Sequence, residues 1–392
     1  MPQPEPYRVL IAGGGPAALE AAFALQRIAG DRVSTTMLAP DREFVPRPMS
    51  VLEPFAAGGA EHRPLAELAA DAGAKLRQGV LAAVAPREHR VRTGAGETLR
   101  YDALLVAIGA VARPPYERAL AFGGAGSQDL MHGLVQDLED GYVRRVAFVV
   151  PAGVTWPLPL YELALMTAQR AWESGVDAEL TLVTPEASAL ELFGPEASAG
   201  VAKLLDEAGI ALRTGTHAEV GSGTVALRPS ADELGVDRVV TLPLLAGPAV
   251  DGLPQDPDGF IPIDSHARVV GVEDVYAAGD GANFPVKQGG LACQQADAAA
   301  DVIAAAAGAD LVAEPFRPVL RGVLLTERGE RWMQRDASGT TGDRSDVSIP
   351  ALWWPPTKIA GRELSRHLAD VHSRPRHAEP PGVDVDMPVR VA

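Results

Sequence analysis

The sequence contains almost no cysteine and very little lysine. Its 392 residues include one cysteine, Cys293, and four lysines against 31 arginines. A single cysteine excludes an internal disulfide, a cysteine-rich zinc site and a CxxC redox pair. The eight histidines show no metal-binding spacing, so the sequence predicts no metal site.

The sequence also lacks an excess of positive charge and a long apolar run. The net charge is −16, and an acidic surface repels phosphate backbones, so nucleic acid is not an expected partner. The weakly polar run from 146 to 161 contains three prolines and is too short to span a bilayer. The first six residues show no export signal. These absences predict a cytoplasmic globular protein.

The sequence does contain a repeated alternation of short apolar strands and helices. A strand at 8–12 leads through a glycine turn into an Ala/Leu-rich helix, and a second strand follows near 33–38. A second series begins near 145, after a stretch rich in proline and glycine. The pattern predicts an α/β protein with two doubly wound Rossmann-like domains and a small C-terminal region.

The glycine turn reads GGGPAA at 13–18. In a strand–turn–helix context, Gly13 permits a tight turn, Gly15 lets a pyrophosphate approach the backbone, and Ala18 lets the helix pack on the strand. The N-terminus of the helix supplies N–H groups and a positive dipole to the phosphates. An acidic residue usually binds the ribose after the second strand, and Asp41 is the nearest candidate here.

A second motif, DVYAAGD at 274–280, is an apolar strand that ends in Gly279 and Asp280. It places a carboxylate at the carboxyl edge of the sheet, where ligands of open α/β sheets bind. A carboxylate at this edge can accept hydrogen bonds from a polyol chain.

The motifs GGGPAA, ALLVAIGA (103–110) and VYAAGD (275–280), in this order, resemble the FAD-binding elements of the two-dinucleotide-domain flavoprotein disulfide-reductase superfamily. The resemblance implies bound FAD. It also implies a discontinuous FAD domain at 1–114 and 240–315, a degenerate NAD(P)-like domain at 115–239, a C-terminal region at 316–372 and a disordered tail at 373–392. The implied cofactor-binding residues are Gly13, Gly15, Pro16, Ala17, Ala18, Asp41, Arg47, Gly109, Ala110, Gly279, Asp280, Lys287, Gly289 and Gly290.

Two segments narrow the resemblance to particular members of this superfamily. The stretches 152–166 (AGVTWPLPLYELALM) and 284–297 (FPVKQGGLACQQAD) resemble segments of sulfide:quinone oxidoreductases and of the flavoprotein subunit of flavocytochrome c sulfide dehydrogenase. In the first segment Trp156 stands where that family has a redox cysteine, so thiol-dependent sulfide oxidation and disulfide reduction are both excluded. In the second, Lys287 is expected at the pyrimidine edge of the flavin. Trp156 and Lys287 are therefore the predicted catalytic residues.

Two further residues bear on the chemistry. Cys293 lies at the start of a long helix, where the dipole can lower the pKa of its thiol, although a small packed residue beside the cofactor is the simpler expectation. Glu162 resembles the glutamate of the family's nicotinamide-side helix. The turn before that helix keeps one glycine, Gly153, and contains two prolines, which lack N–H donors.

The C-terminal region contains Trp353 and Trp354, with Lys358 and Arg362 close by in sequence and an amphipathic stretch after them. The resemblance allows this region to meet a membrane and a quinone. Packing against the protein itself or a homodimer partner is favoured, and membrane binding is not expected.

The resulting prediction is an FAD-dependent oxidoreductase without redox-active thiols. It would pass electrons from a small substrate through the flavin to a quinone, a protein or O2. One alternative is an NAD(P)H dehydrogenase resembling the type II NADH dehydrogenases. The other is a non-catalytic flavin-carrying partner protein.

Overall fold

The structure is a computed structural model that describes residues 5–124, 126–326, 329–337 and 345–373. Its seven described α-helices are α1 (Pro16–Ile28), α2 (Leu65–Asp71), α3 (Ser127–Glu139), α4 (Leu158–Glu173), α5 (Pro195–Glu207), α6 (Gly289–Ala306) and α7 (Leu364–Ser373). Its described strands are β1 (Tyr7–Ala12), β2 (Val33–Ala39), β3 (Glu43–Phe44), β4 (Arg63–Pro64), β5 (Lys75–Gln78), β6 (Leu81–Ala85), β7 (Arg90–Thr93), β8 (Thr98–Arg100), β9 (Ala103–Val106), β10 (Val111–Arg113), β11 (Leu120–Ala121), β12 (Arg145–Val149), β13 (Glu179–Val183), β14 (Ile210–Arg213), β15 (His217–Val220), β16 (Thr224–Arg228), β17 (Glu233–Gly235), β18 (Arg238–Thr241), β19 (Leu244–Ala246), β20 (Val275–Ala277), β21 (Val319–Thr326), β22 (Gly329–Asp336) and β23 (Ser345–Ser348).

The first large sheet has the strand order β20-β9-β1-β2-β5, and every pair in it is parallel. Ile11 in β1 lies opposite Met37 on one side and Leu105 on the other. Strands buried on both faces read as continuous apolar runs, which explains the sequences of β1 and β9. The sheet takes an outer strand from 275–277, so this unit is discontinuous in sequence. The helices α1 and α6 pack together against it.

The second large sheet has the order β11-β18-β12-β13-β14 and is also parallel throughout. The helices α3, α4 and α5 bury their apolar stripes in its main core. Two parallel sheets, each packed with helices, confirm the predicted α/β class with two Rossmann-like units. The domain limits given above stay a prediction.

Three elements differ from the sequence-based expectation. The proline-broken sequence at 40–54 predicts a loop, but Arg47–Phe55 form a 3-10 helix, and proline is tolerated at such a helix start. The helix α3 lies just after a predicted linker and buries a stripe that includes Met131 and Leu138. The antiparallel sheet β21-β22-β23 was not foreseen.

The C-terminal sheet contacts α6 and its N-cap residue through the free edge of β21. The side-chain amide of Gln294 bonds both the N–H and the C=O of Val319, each at 2.9 Å. The amide of Gln288 donates to the C=O of Arg321 at 3.2 Å. These bonds satisfy edge groups that would otherwise stay open.

The end of the described chain packs on the protein itself, as favoured above. Leu364 of α7 is buried, and Leu368 packs against the core between α1 and α6. Trp353 stacks edge-on against Trp332 at 4.5 Å, whereas Trp354 is 85% exposed. Among the described helices, none has the length and apolar content needed to cross a bilayer. The predicted tail lies outside the described residues apart from Ser373.

Candidate functional site

The glycine turn between β1 and α1 is closed on one side and open on the other. Gly13 has φ of +134°, and a Cβ there would lie 2.1 Å from the carbonyl oxygen of Ala107. A Cβ on Gly15 would meet no atom within 4 Å. Pro16 begins α1 beside Gly15, and Ala17 and Ala18 are buried behind it. The open side therefore lies at the N-terminus of α1, as the pyrophosphate prediction requires.

The carboxyl ends of β1, β9 and β20 converge on this turn. A Cβ on Gly279 would lie 3.6 Å from the Cβ of Ala17, and one on Gly281 would lie 2.8 Å from the carbonyl oxygen of Gly109. The side chain of Gln295 accepts a hydrogen bond from the N–H of Gly279 at 2.8 Å. The structure thus brings together Gly13, Gly15, Gly109 and its neighbour Ala110, and Gly279, although they lie far apart in sequence.

Asp280 fits a polyol ligand. Its carboxylate has no hydrogen-bond partner among the described residues. Burial raises the pKa of the Asp280 carboxyl, and the positive charges of Lys287 and Arg47 oppose that shift. Asp280 is half-buried, and a carboxylate partly withdrawn from water normally accepts hydrogen bonds, so this side chain fits a ligand that carries hydroxyl donors.

Lys287 is fixed close to Asp280. Its ammonium donates to the carbonyl oxygen of Ala282 and lies 3.8 Å from the centre of the Phe260 ring. Burial lowers the pKa of Lys287 to about 8, while the charges of Asp280 and Asp256 oppose the shift. A cation is therefore positioned at this edge of the first sheet.

The remaining predicted cofactor residues differ in their surroundings. A Cβ on Gly289 would contact Ile359 at 3.4 Å, and one on Gly290 would contact the Gln288 amide at 3.0 Å. These two glycines thus face protein, and only their backbone is available to a cofactor. Arg47 is exposed at the start of the 3-10 helix. Asp41 is exposed beyond the end of β2, and its ribose role stays a prediction.

Trp156, which stands in place of the redox cysteine, and Cys293, the single cysteine of the chain, are both packed against other residues. Trp156 is partly buried, with its ring edge-on to Phe193 at 5.6 Å. Cys293 is fully buried, and its Sγ lies 3.8 Å from the carbonyl oxygen of Pro16. Burial raises the pKa of the Cys293 thiol well above its usual value, so the suggested lowering by the helix dipole is wrong. Cys293 is the small packed residue that was the simpler expectation.

The sequence did not reveal that Glu162 and Lys358 form a buried ion pair. The Lys358 ammonium lies 2.6 and 2.7 Å from the two carboxylate oxygens of Glu162, and it donates to the carbonyl oxygen of Pro48 at 3.0 Å. Glu162 also accepts from the N–H of Leu325 at 2.8 Å. Burial raises the pKa of Glu162 and lowers that of Lys358, and their mutual attraction opposes both shifts.

This pair bears on two expectations. Lys358 is only 8% exposed, so it does not lie at a surface interface, which agrees with the favoured packing of this region on the protein itself. Glu162 is fully buried and already holds a cation and a backbone N–H, so it has no free face for a nicotinamide. The only feature of the sequence that pointed to a special role of Lys358 was the rarity of lysine in this chain.

Glu186 is the third residue after the end of β13, near the carboxyl end where an acidic residue often binds a ribose. Its carboxylate is already engaged, because it accepts from the hydroxyls of Tyr161 at 2.8 Å and Thr184 at 2.9 Å. Burial raises the pKa of Glu186. The second sheet therefore has an acidic residue near the place where a nucleotide site would have one. This residue is bonded to side chains of the protein itself.

A group of acidic side chains lies between α1, α6 and the start of α7. Glu20 accepts hydrogen bonds from the N–H groups of Glu363 at 2.7 Å and Leu364 at 2.9 Å, so it anchors α7. Asp297 lies 3.0 Å from the guanidinium of Arg362. Burial raises the pKa of Asp297 to about 8, the Glu20 charge adds to this, and Arg362 opposes it.

The raised pKa of Asp297 predicts a pH dependence of stability. The folded protein holds a proton on Asp297 that the unfolded chain releases above pH ~4. The free energy of unfolding should therefore fall as the pH rises from ~4 towards about 8. In Asp297→Asn, we expect this fall to be smaller by up to about 5 kcal/mol, because each pH unit between ~4 and about 8 is worth ~1.4 kcal/mol. Denaturant unfolding across the window measures it. The exposed Asp310→Asn serves as the control, and equal slopes in both variants would contradict the assignment.

The family model described as pyridine nucleotide-disulphide oxidoreductase matches residues 7–301. The chain belongs to this family. Its members are flavin-dependent oxidoreductases, and this chain is an enzyme of that class. No curated protein sequence matches the chain.

Several solved structures share the fold of this pyridine nucleotide-disulphide oxidoreductase. The sulfide:quinone oxidoreductase of the hyperthermophilic bacterium Aquifex aeolicus has a TM-score of 0.78 at 17% identity, over 88% of this chain and 87% of that chain. A ferredoxin reductase from Rhodopseudomonas palustris has a TM-score of 0.63 at 19% identity, over 85% and 83%. A NAD-dependent persulfide reductase from A. fulgidus has 0.60 at 19% identity, over 84% and 64%. At these identities the likenesses show the fold alone.

Proposed function

We propose that the chain binds FAD and passes electrons from a small substrate, through the flavin, to a quinone, a protein or O2, without any thiol step. The observation that carries the proposal is the convergence at one sheet edge of the open Gly15 turn and the unpartnered carboxylate of Asp280. Bound FAD would supply the redox chemistry, which no side chain of this protein can perform by itself.

The residues of the chain would hold and tune that cofactor. The N-terminus of α1 would bind the pyrophosphate, and Asp280 would accept hydrogen bonds from ribityl hydroxyls. Lys287 would supply positive charge, which favours a reduced and negatively charged flavin. Trp156 would offer an aromatic wall that suits a flat or apolar substrate. Because Cys293 is buried and single, no persulfide would form.

A second candidate is an NAD(P)H dehydrogenase. The position of Glu186 after β13 favours it, since an acidic residue there can bind a ribose. Two contacts oppose it: Glu186 is bonded to Tyr161 and Thr184, and Glu162 is buried against Lys358. The loss of glycines and N–H donors before α4 points the same way.

The test combines cofactor analysis with anaerobic reduction. The purified protein is expected to carry about one FAD per chain, because it has one intact dinucleotide fingerprint. Mixing with NADH, NADPH or sulfide is expected to bleach the flavin slowly, and dithionite to bleach it fully. Screening small organic donors then identifies the substrate by fast bleaching.

Each other outcome selects a different function. A colourless protein that takes up no FAD rejects the proposal. Fast bleaching by NADH selects the dehydrogenase, and fast bleaching by sulfide shows that no thiol pair is needed. Reduction by dithionite alone, across the whole donor screen, selects a flavin-carrying partner protein.

A further inference from the structure

Arg321 is a half-buried cation without a counter-ion. It lies on β21, and its Nε donates to the side-chain oxygen of Gln334 at 3.1 Å. None of the described acidic side chains lies within ion-pair distance of its guanidinium, although the chain has 51 acidic residues. Burial lowers the pKa of Arg321, and no nearby negative charge opposes this shift.

An uncompensated cation in this position costs stability. Removing a guanidinium from water is unfavourable unless an anion and hydrogen-bond acceptors replace the solvent. Gln334 occupies only one of the five N–H donors of Arg321. The remaining donors form a planar fork whose geometry matches a carboxylate.

The surroundings of Arg321 also define what such an anion could be attached to. Arg321 lies directly opposite Gln334. The next residues on the same sheet face are Val323 and Trp332 towards one end of the strands, and Val319 and Asp336 towards the other. Trp332 is packed edge-on against the partly buried Trp353. On the Val323 side, the sheet face that carries Arg321 is therefore apolar and aromatic, which favours a flat organic body over a hydrated inorganic ion.

We propose that Arg321 binds the carboxylate of a small aromatic or otherwise flat organic acid on this face of the C-terminal sheet. Arg321 and Gln334 lie on β21 and β22 and are not among the residues assigned above to the cofactor. Gln288 places it beside the start of α6, because the Gln288 amide holds the backbone C=O of Arg321.

The test uses benzoate as the probe and the protein as purified. Calorimetric titration is expected to show benzoate binding to the wild type at millimolar concentration, and weaker binding of acetate and phosphate. In Arg321→Gln, benzoate affinity should fall at least about tenfold. Arg317→Gln, which changes an exposed arginine nearby, should bind benzoate like the wild type.

Thermal melting supplies a second readout that separates binding from structure. Because the cation is uncompensated, Arg321→Gln should keep or raise the melting temperature without ligand. Benzoate should raise the melting temperature of the wild type and of Arg317→Gln, but not of Arg321→Gln.

Four results would overturn the proposal. These are the absence of benzoate binding to the wild type, equal affinity in Arg321→Gln, tighter binding of phosphate than of benzoate, and a lowered melting temperature of Arg321→Gln in the absence of ligand. Loss of FAD from Arg321→Gln would be a fifth such result, because it would assign the guanidinium to the cofactor. The presence or absence of FAD in the wild type leaves the benzoate result unaffected, so the two proposals fail separately.

Discussion

Replacing Gly15 by alanine is expected to abolish FAD binding while the protein stays folded. The backbone of Gly15 has φ of −85° and ψ of −170°, which alanine adopts without strain. Its Cβ would contact no protein atom within 4 Å, so the methyl group would project only into the space that we assign to the pyrophosphate. The FAD content per chain after purification measures the loss, and circular dichroism checks the fold.

Two other glycines make this result specific. Gly13→Ala should lose both FAD and stability, because φ of +134° and an approach of 2.1 Å to Ala107 exclude a side chain. We expect a cost above ~1 kcal/mol in the free energy of unfolding. Gly133→Ala, whose Cβ likewise meets nothing within 4 Å, lies in α3 and should keep its FAD. Full FAD content in Gly15→Ala would refute the placement of the pyrophosphate.

Lys358→Met is expected to lower the free energy of unfolding by about 3–5 kcal/mol. The methionine fills the volume but leaves the buried carboxylate of Glu162 without its cation. Because Lys358 also bonds the carbonyl oxygen of Pro48, the variant loosens the contact between the C-terminal segment, α4 and the 3-10 helix. Denaturant unfolding measures the loss.

A second replacement and a matched control distinguish the cause. Adding Glu162→Leu to Lys358→Met removes the stranded charge and should recover most of the stability. Lys203→Met removes an exposed lysine that lies 3.7 Å from Glu207, and it should change stability little. If Lys203→Met and Lys358→Met behaved alike, the ion pair would have no structural role.

The parallel sheets and the glycine turn could be predicted from sequence because their signals are local. A buried strand, a glycine turn and an Ala-rich helix occur within 20 residues, and the rules of open sheets place Asp280 at the same edge. The contact between Glu162 and Lys358 had no such signal. It joins residues 196 positions apart, and the neighbours of Lys358 in sequence, two tryptophans and an arginine, suggested a surface.

Arg321 was missed for a related reason. In the sequence it interrupts an apolar strand, and an arginine at an edge strand is usually solvated. Only the tertiary structure shows that none of the described acidic side chains lies within ion-pair distance of it and that Trp332 is a neighbour on the same sheet face. Charge compensation is a property of three-dimensional neighbours, so it cannot be deduced from the strand pattern.

The side chains along the free edge of β21 also bear on aggregation. An open strand edge can pair with a strand of another molecule, and Gln294, Gln288 and Glu162 occupy that edge at three positions. Two of the three belong to α6 or to the residue that caps its start. Any disorder at the start of α6 would therefore expose a strand edge that can pair with another molecule. It would also disturb the neighbouring residues that we propose bind the cofactor. The same few residues thus cover a strand edge that could pair with another chain and fix the start of α6.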